Sequence, residues 1–328
     1  MKLLAVAFAV VAHLLAASDA QAQSNRQPAE TDAAATRTRF VAAENGLAFV
    51  GQTGGMVIRD VSDPLRPVDL GWLPLPASVD DVVVAGELVF LAAGTRGLVI
   101  ADVSDPRDPK ELARLDTDGK VKRVARRGEH LFLADGINGL LVVDASAIES
   151  PRIVARVSTS GDLRAVAVEG DLLAVAESHG GARVLSLARP DNPRVLKKLE
   201  TRFTARDACW IGDRLFVAGG REGTAFYDPR ASSGRPIGML APVRSAQHVA
   251  CDGTVVAVSN LGSAIQVFDA SGPAAPRERS QLRVHRSAPI GRSGFDGLRL
   301  WIAVDVAGMG LLDLTDLDAP ERVLPRRR

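Results

Sequence analysis

Aromatic side chains are scarce in this chain, at 4% of 328 residues with a single tyrosine. Large rings therefore cannot fill the core, which has to be assembled from the Val, Leu, Ala and Ile that dominate the 46% apolar fraction. Cysteine is scarcer still: Cys209 and Cys251 stand in no CxxC spacing, which excludes a disulfide-framework fold. The formal net charge is only +1, against the basic balance of a nucleic-acid or anionic-membrane surface. No stretch after the N-terminal segment approaches the ~20 apolar residues of a membrane span. A G-x-S-x-G nucleophile elbow is absent, and no glycine cluster is followed by the Lys-Ser/Thr pair of a phosphate loop.

The N-terminus has a separate character. Lys2 precedes an apolar run from Leu3 to Ala17 that only His13 interrupts, and Ala20-Gln21-Ala22 is a small-x-small cleavage site. That order predicts a secretory signal peptide over 1–22, cleaved after Ala22, with a buried helix as the plainer alternative. No cysteine follows the cleavage point, so a lipid anchor is not expected. Residues 23–38, rich in Gln, Ala, Thr and charge, read as a disordered leader. The expected location is periplasmic or secreted. Arg326-Arg327-Arg328 reads as a solvated tail.

The remainder repeats. Gly97-Leu98-Val99-Ile100-Ala101-Asp102-Val103-Ser104-Asp105-Pro106 has close copies beginning at Gly55 and Gly139. The aspartate that ends the apolar run returns at Asp60, Asp102, Asp144, Asp228, Asp269 and Asp313, with Ser186 in its place once. The first five positions are 42 residues apart, and the last two intervals are 41 and 44. One glycine column precedes the anchors, at Gly55, Gly97, Gly139, Gly181, Gly223 and Gly308, broken at Ala264. A second runs through Gly86, Gly128, Gly170, Gly212, Gly253 and Gly297. Each unit reads as four short strands, A to D, bounded by Gly, Asp and Pro turns. Strands A to C are apolar on both faces, so each sheet must be covered on both sides. Four-stranded units of this period, covered by their own neighbours, predict an all-β, seven-bladed β-propeller of antiparallel blades over 39–328. The blades fall near 39–78, 79–119, 120–161, 162–203, 204–245, 246–287 and 288–328. A linear β-solenoid is the alternative.

The segments Leu98-Val99-Ile100-Ala101-Asp102 and Leu140-Leu141-Val142-Val143-Asp144 resemble the repeat named LVIVD after its consensus. The likeness is strong in units two and three, good in unit one and weak in units five to seven. It implies an exported bacterial or archaeal propeller. It carries over no catalytic residue, because the family has no single activity.

The six anchor aspartates are expected to be structural, since a carboxylate at a strand end accepts backbone N–H bonds in an Asx turn. Function is expected on the opposite face, where B–C hairpins and D–A crossovers surround the channel mouth and the units differ most. There, strand A begins with Asp81, Arg123, Ala165, Asp207, His248 and Arg292, with Arg39 aligned to them in unit one. One position earlier stand Asp80, Lys122, Arg164, Arg206, Gln247 and Gly291. Two readings stay open: ion pairs that stitch the blades, or a site for an anionic or polar ligand built on Arg123, Arg164, Arg206 and Arg292. His179, His248 and His285 map to the same face with Glu177, Asp207 and Asp305, but no local spacing makes them a metal site, and none is expected. Cys209 and Cys251 fall in the A strands of adjacent units, either as inert buried thiols or as a disulfide. The expectation is an exported, monomeric, non-enzymatic scaffold or interaction module for a protein or polar small ligand, without cofactor. The alternative is a ligand-binding or metal-dependent enzyme or sensor at the same mouth.

Overall fold

A computed structural model describes residues 37–240, 245–285 and 288–323. The proposed signal peptide, most of the leader and the terminal arginines lie outside the described residues. The described chain is a seven-bladed β-propeller with one short 3-10 turn at Asp305–Ala307. Six blades are four-stranded antiparallel sheets. The first is a three-stranded sheet, because its second strand, Leu47–Asp60, is 14 residues long. The first half of that strand pairs with Thr38–Glu44 and the second half with Val68–Ser78, so it covers the work of strands B and C.

The strands named in the repeat form as its pattern requires. In blade 2, Asp81–Ala85, Leu88–Ala92, Leu98–Asp102 and Lys110–Leu115 pair in sequence order. Leu98 and Ile100 pack with blade 3, while Val99 and Ala101 on the other face pack with blade 1. The same division holds around the ring, and the buried apolar residues form seven clusters, one in each gap between blades. This is why strands A to C carry no polar face. Neighbouring blades are also tied by polar contacts: Trp210 Nε1 donates to the Ala167 carbonyl at 3.0 Å, and Arg126 lies 5.6 Å from the Phe90 ring centre.

The turns behave as read. Each anchor aspartate accepts the backbone N–H two residues on, at 2.8 to 3.0 Å, in all six copies. Ser186 makes the same bond with its hydroxyl, to Ala188 N at 3.1 Å. At Gly97, φ is +72°, and an added Cβ would lie 2.2 Å from the Leu115 carbonyl oxygen. Where the column breaks, at Ala264, the positive φ moves to Ser263, and Asn260 Oδ1 accepts from Gly262 N and Ala264 N.

The ring closes between blades 7 and 1. Phe40 and Arg292 form a parallel bridge, and Val41 N and Arg292 N donate to the carbonyls of Arg292 and Arg39. Val41, Val50 and Trp72 pack with Trp301, Met309 and Leu311 beneath it. Among the described residues no strand is exchanged between the two blades.

Candidate functional site in the central channel

The inner strands line the channel, and a repeated device fixes where each begins. The B–C hairpin of one blade forms a two-residue bridge with the chain entering the next, at Gly94–Val121, Gly136–Leu163, Ser178–Ala205 and Gly220–Ala246. The following residue donates its N–H to strand B of its own blade, as Lys122 N does to Ala134 O at 2.9 Å and Arg206 N to Ala218 O at 2.9 Å. Two successive side chains per blade are thereby placed on two levels.

The deeper level holds Phe40, Asp81, Arg123, Ala165, Asp207, His248 and Arg292. Unit one departs here from the sequence alignment: Phe40 takes this level, opposite Arg292, and Arg39 lies one position earlier. Blade 1 is one residue shorter after its A–B turn: Asn45, the first turn residue, stands 15 positions before Asp60, whereas Gly86 stands 16 before Asp102.

Five of these side chains close the channel. Arg123, 8% exposed, donates to Asp207 Oδ2 at 3.2 Å and lies 3.2 Å from His248 Nδ1. Arg292 pairs with Asp81, and both carboxylates are almost wholly buried. Each aspartate also staples the next blade: Val124 N donates to Asp81 Oδ2 at 3.1 Å, and Val249 N to Asp207 Oδ2 at 3.3 Å. Two carboxylates face two guanidiniums, and the group is neutral when His248 is neutral. Burial opposes the Asp207 charge, yet Arg123, His248 and Arg292 hold its pKa well below the carboxylate range. Burial likewise pushes the His248 pKa down, assisted by Arg123 and Arg292 and opposed by Asp207. His248 Nδ1 also lies 3.3 Å from Asp207 Oδ2, so it accepts from Arg123 in one tautomer and donates to Asp207 in the other.

The outer level is the mouth on the hairpin face. Asp80 lies 3.8 Å from Arg39 and 3.6 Å from Lys120. Asp162 is bonded by Lys122 and lies 3.0 Å from Arg164. Arg206 has no carboxylate: its Nη1 donates to Gln247 Oε1 at 3.2 Å, and its buried Nε has no partner. On the same face Arg37 lies 3.9 Å from Asp305, so these contacts set six cations against three carboxylates. The tips of two hairpins add apolar side chains, Ile137 at 85% exposure and Leu261 at 60%.

The candidate residues thus divide. Asp81, Arg123, Asp207, His248 and Arg292 meet in the plug, while Arg164 and Arg206 stand in the rim. The three histidines do not converge: His179 Nδ1 lies 3.2 Å from Thr204 Oγ1, His248 is in the plug, and His285 Nδ1 accepts from Ala288 N at 2.8 Å. Among the described residues no group of three or more His, Cys, Asp or Glu side chains is placed to hold a metal ion. Two further acids of the hairpin face are buried. Asp135 accepts from Thr117 Oγ1 at 2.8 Å, and burial raises its pKa. Glu177 accepts from Ser160 N at 2.8 Å and pairs with Arg183.

The cysteines are joined. Cys209 and Cys251 form a disulfide between the inner strands of blades 5 and 6, with Cα atoms 5.7 Å apart. Of the two sequence readings, the cross-link is the one the structure shows, because neighbouring inner strands approach closely near the channel axis.

The LVIVD repeat model matches residues 37–71, 76–117 and 118–159. Residues 37–159 carry LVIVD repeats. These three matches correspond to blades 1 to 3, while blades 4 to 7 keep the fold outside the matched residues. A computationally designed protein, Ika8, superposes with a TM-score of 0.64 at 9% identity, covering 84% of this chain and 96% of that one. A chain of the mitotic checkpoint complex gives 0.68 at 13% identity, over 81% and 84%. Both likenesses concern the fold alone. No curated protein matches the chain.

Proposed function

We propose that this LVIVD-repeat propeller is an exported, non-enzymatic interaction module that docks an acidic protein partner on its hairpin face. The observation that carries the reading is the rim, where six cations share three carboxylates and Arg206 has none. Such an excess around a concave mouth attracts negative charge and speeds encounter. Ile137 and Leu261 supply exposed apolar contacts of the kind that anchor an interface. The plug supports a scaffold role, since Arg123 and Arg292 are already engaged by buried carboxylates and are not free for a ligand. Export is supported by the signal-peptide pattern and by a disulfide, which persists in oxidising compartments.

The test places a photo-crosslinking residue at Ile137 or Leu261, with Leu65 on the opposite face as control. An acidic protein should be trapped from the two hairpin positions, and Lys122→Glu, Arg164→Glu and Arg206→Glu combined should abolish the product. Equal trapping after triple charge reversal, or equal trapping from Leu65, would refute the reading.

A further inference from the structure

At each seam between blades, two columns of the repeat meet beside the plug. One is the strand B residue opposite the plug position: Ala92, Ala134, Ala176 and Ala218 pair with Asp81, Arg123, Ala165 and Asp207. The other is the residue just after the plug position in the next blade, which is Val124, Val166, Ala208 or Val249. Ala92 shares a buried cluster with Val124, Ala134 with Val166, Ala176 with Ala208 and Ala218 with Val249, so these seams are apolar here.

The seam between blades 6 and 7 departs from both columns at once. Ser259 pairs with His248, and Ser293 follows Arg292. The two serines are 4% and 9% exposed, and neither hydroxyl has a hydrogen-bond partner. Both line one small void together with His248, and its other walls are apolar, Ile265 and Leu300 among them. The void gives the centre of a water molecule about 10 Å³, which is room for one molecule and not for a larger ligand.

We infer that this void holds one ordered water molecule, bound by Ser259 Oγ and Ser293 Oγ, which completes the plug on its blade 7 side. A buried hydroxyl without a partner costs stability. Two of them at one void, in columns that are apolar at the other four seams, point to a shared polar ligand. Each hydroxyl can both donate and accept. His248 supplies a third contact, because its Nδ1 is engaged with Arg123 and Asp207 and leaves Nε2. Three polar contacts are what a buried water ordinarily makes. The lining carries no carboxylate, so water fits better than a cation. The site also fills a gap in the stapling of the ring. Asp81 and Asp207 each reach the backbone of the following blade, at Val124 N and Val249 N. Among the described residues His248 has no such bond to blade 7, and the water spans that seam instead. The inference does not depend on the hairpin-face reading.

A high-resolution crystal structure should show one density peak within hydrogen-bond distance of both hydroxyls. Magnetic relaxation dispersion of the water oxygen counts long-lived internal waters. Ser259→Ala combined with Ser293→Val rebuilds the Ala–Val pair of the seams after blades 2, 3 and 5, so it should keep the fold and lose one long-lived water. Ser259→Ala alone should lower the melting temperature, because the water loses a partner. In a dry void the same change would remove an unpaired buried hydroxyl and raise it. No density at the void, an unchanged water count in the double variant, or a higher melting temperature for Ser259→Ala would each overturn the inference.

Discussion

The two ends of the channel are built from the same seven strands, yet they handle charge in opposite ways. At the hairpin end, Asp80 and Asp162 are each shared by two cations, and positive charge is left over. At the turn end, Glu44, Asp252 and Asp296 face open space without partners. Between them lies a neutral group of buried ions. The inner strands, three to seven residues long, thus run from a positive rim through a balanced plug to the acidic strand ends of blades 1, 6 and 7. The repeat fixes where side chains point, and it leaves their charge free to vary from blade to blade. Function is therefore sought at the ends, where departures from the repeat cost the fold least.

The comparison can be broken most severely at the plug. Arg123→Met should destabilise the protein by about 3–5 kcal/mol, because Asp207 stays buried without its main counter-ion. Adding Asp207→Leu should recover much of that loss, measured by urea denaturation. No rescue would mean that the staple to Val249 N matters more than the ion pair. Next in size is the channel wall at the acidic end. Replacing both cysteines by serine should cost about 2–4 kcal/mol, through the closed loop of 42 residues that the disulfide joins. An unchanged melting temperature on reduction would show that the bond adds no stability.

A smaller effect is expected from pH. A histidine held below its ordinary value of 6.5 takes up its proton at lower pH in the folded chain than in the unfolded one. Its contribution is complete above pH 6.5 and is lost as the pH falls through the folded value. Asp207, held below the carboxylate range, adds a second loss only in stronger acid. The melting temperature should therefore fall as the pH drops below 6.5, and His248→Gln should remove that first decline. A decline that survives the substitution assigns it elsewhere. The smallest effects concern the rims. Arg206→Gln and Glu44→Gln should each change stability by less than about 0.5 kcal/mol. Asp162→Asn, which leaves Lys122 and Arg164 facing each other, should cost somewhat more, up to about 1 kcal/mol. Equal costs at both ends would erase the distinction between paired and unpaired carboxylates.

Much of the fold was legible in the chain. The anchor column predicted turns that are present in all six aspartate copies, and Ser186 proved a chemical substitute rather than a loss. Apolar runs without alternation predicted sheets covered on both sides, which the seven inter-blade clusters bear out. The site was less legible. The column holding Asp81, Arg123, Asp207, His248 and Arg292 could be read, but which residues pair could not, since Arg123 meets Asp207 from a strand 84 residues away. Arg39 was assigned to the wrong level because blade 1 is one residue shorter between its A–B turn and its anchor aspartate, which a constant spacing to the anchor overlooks. The acidic turn end left no sequence signal, since Glu44, Asp252 and Asp296 are ordinary strand-end acids until their strands face one axis.

The sequence by itself determined the repeat, the strands, the turns and the number of blades, because these depend on local backbone chemistry and on which faces are apolar. Only the tertiary structure decided the plug, the disulfide and the unequal ends. Those depend on closing the ring, which brings residues from five blades to one axis where burial makes every charge seek a partner or remain at the opening.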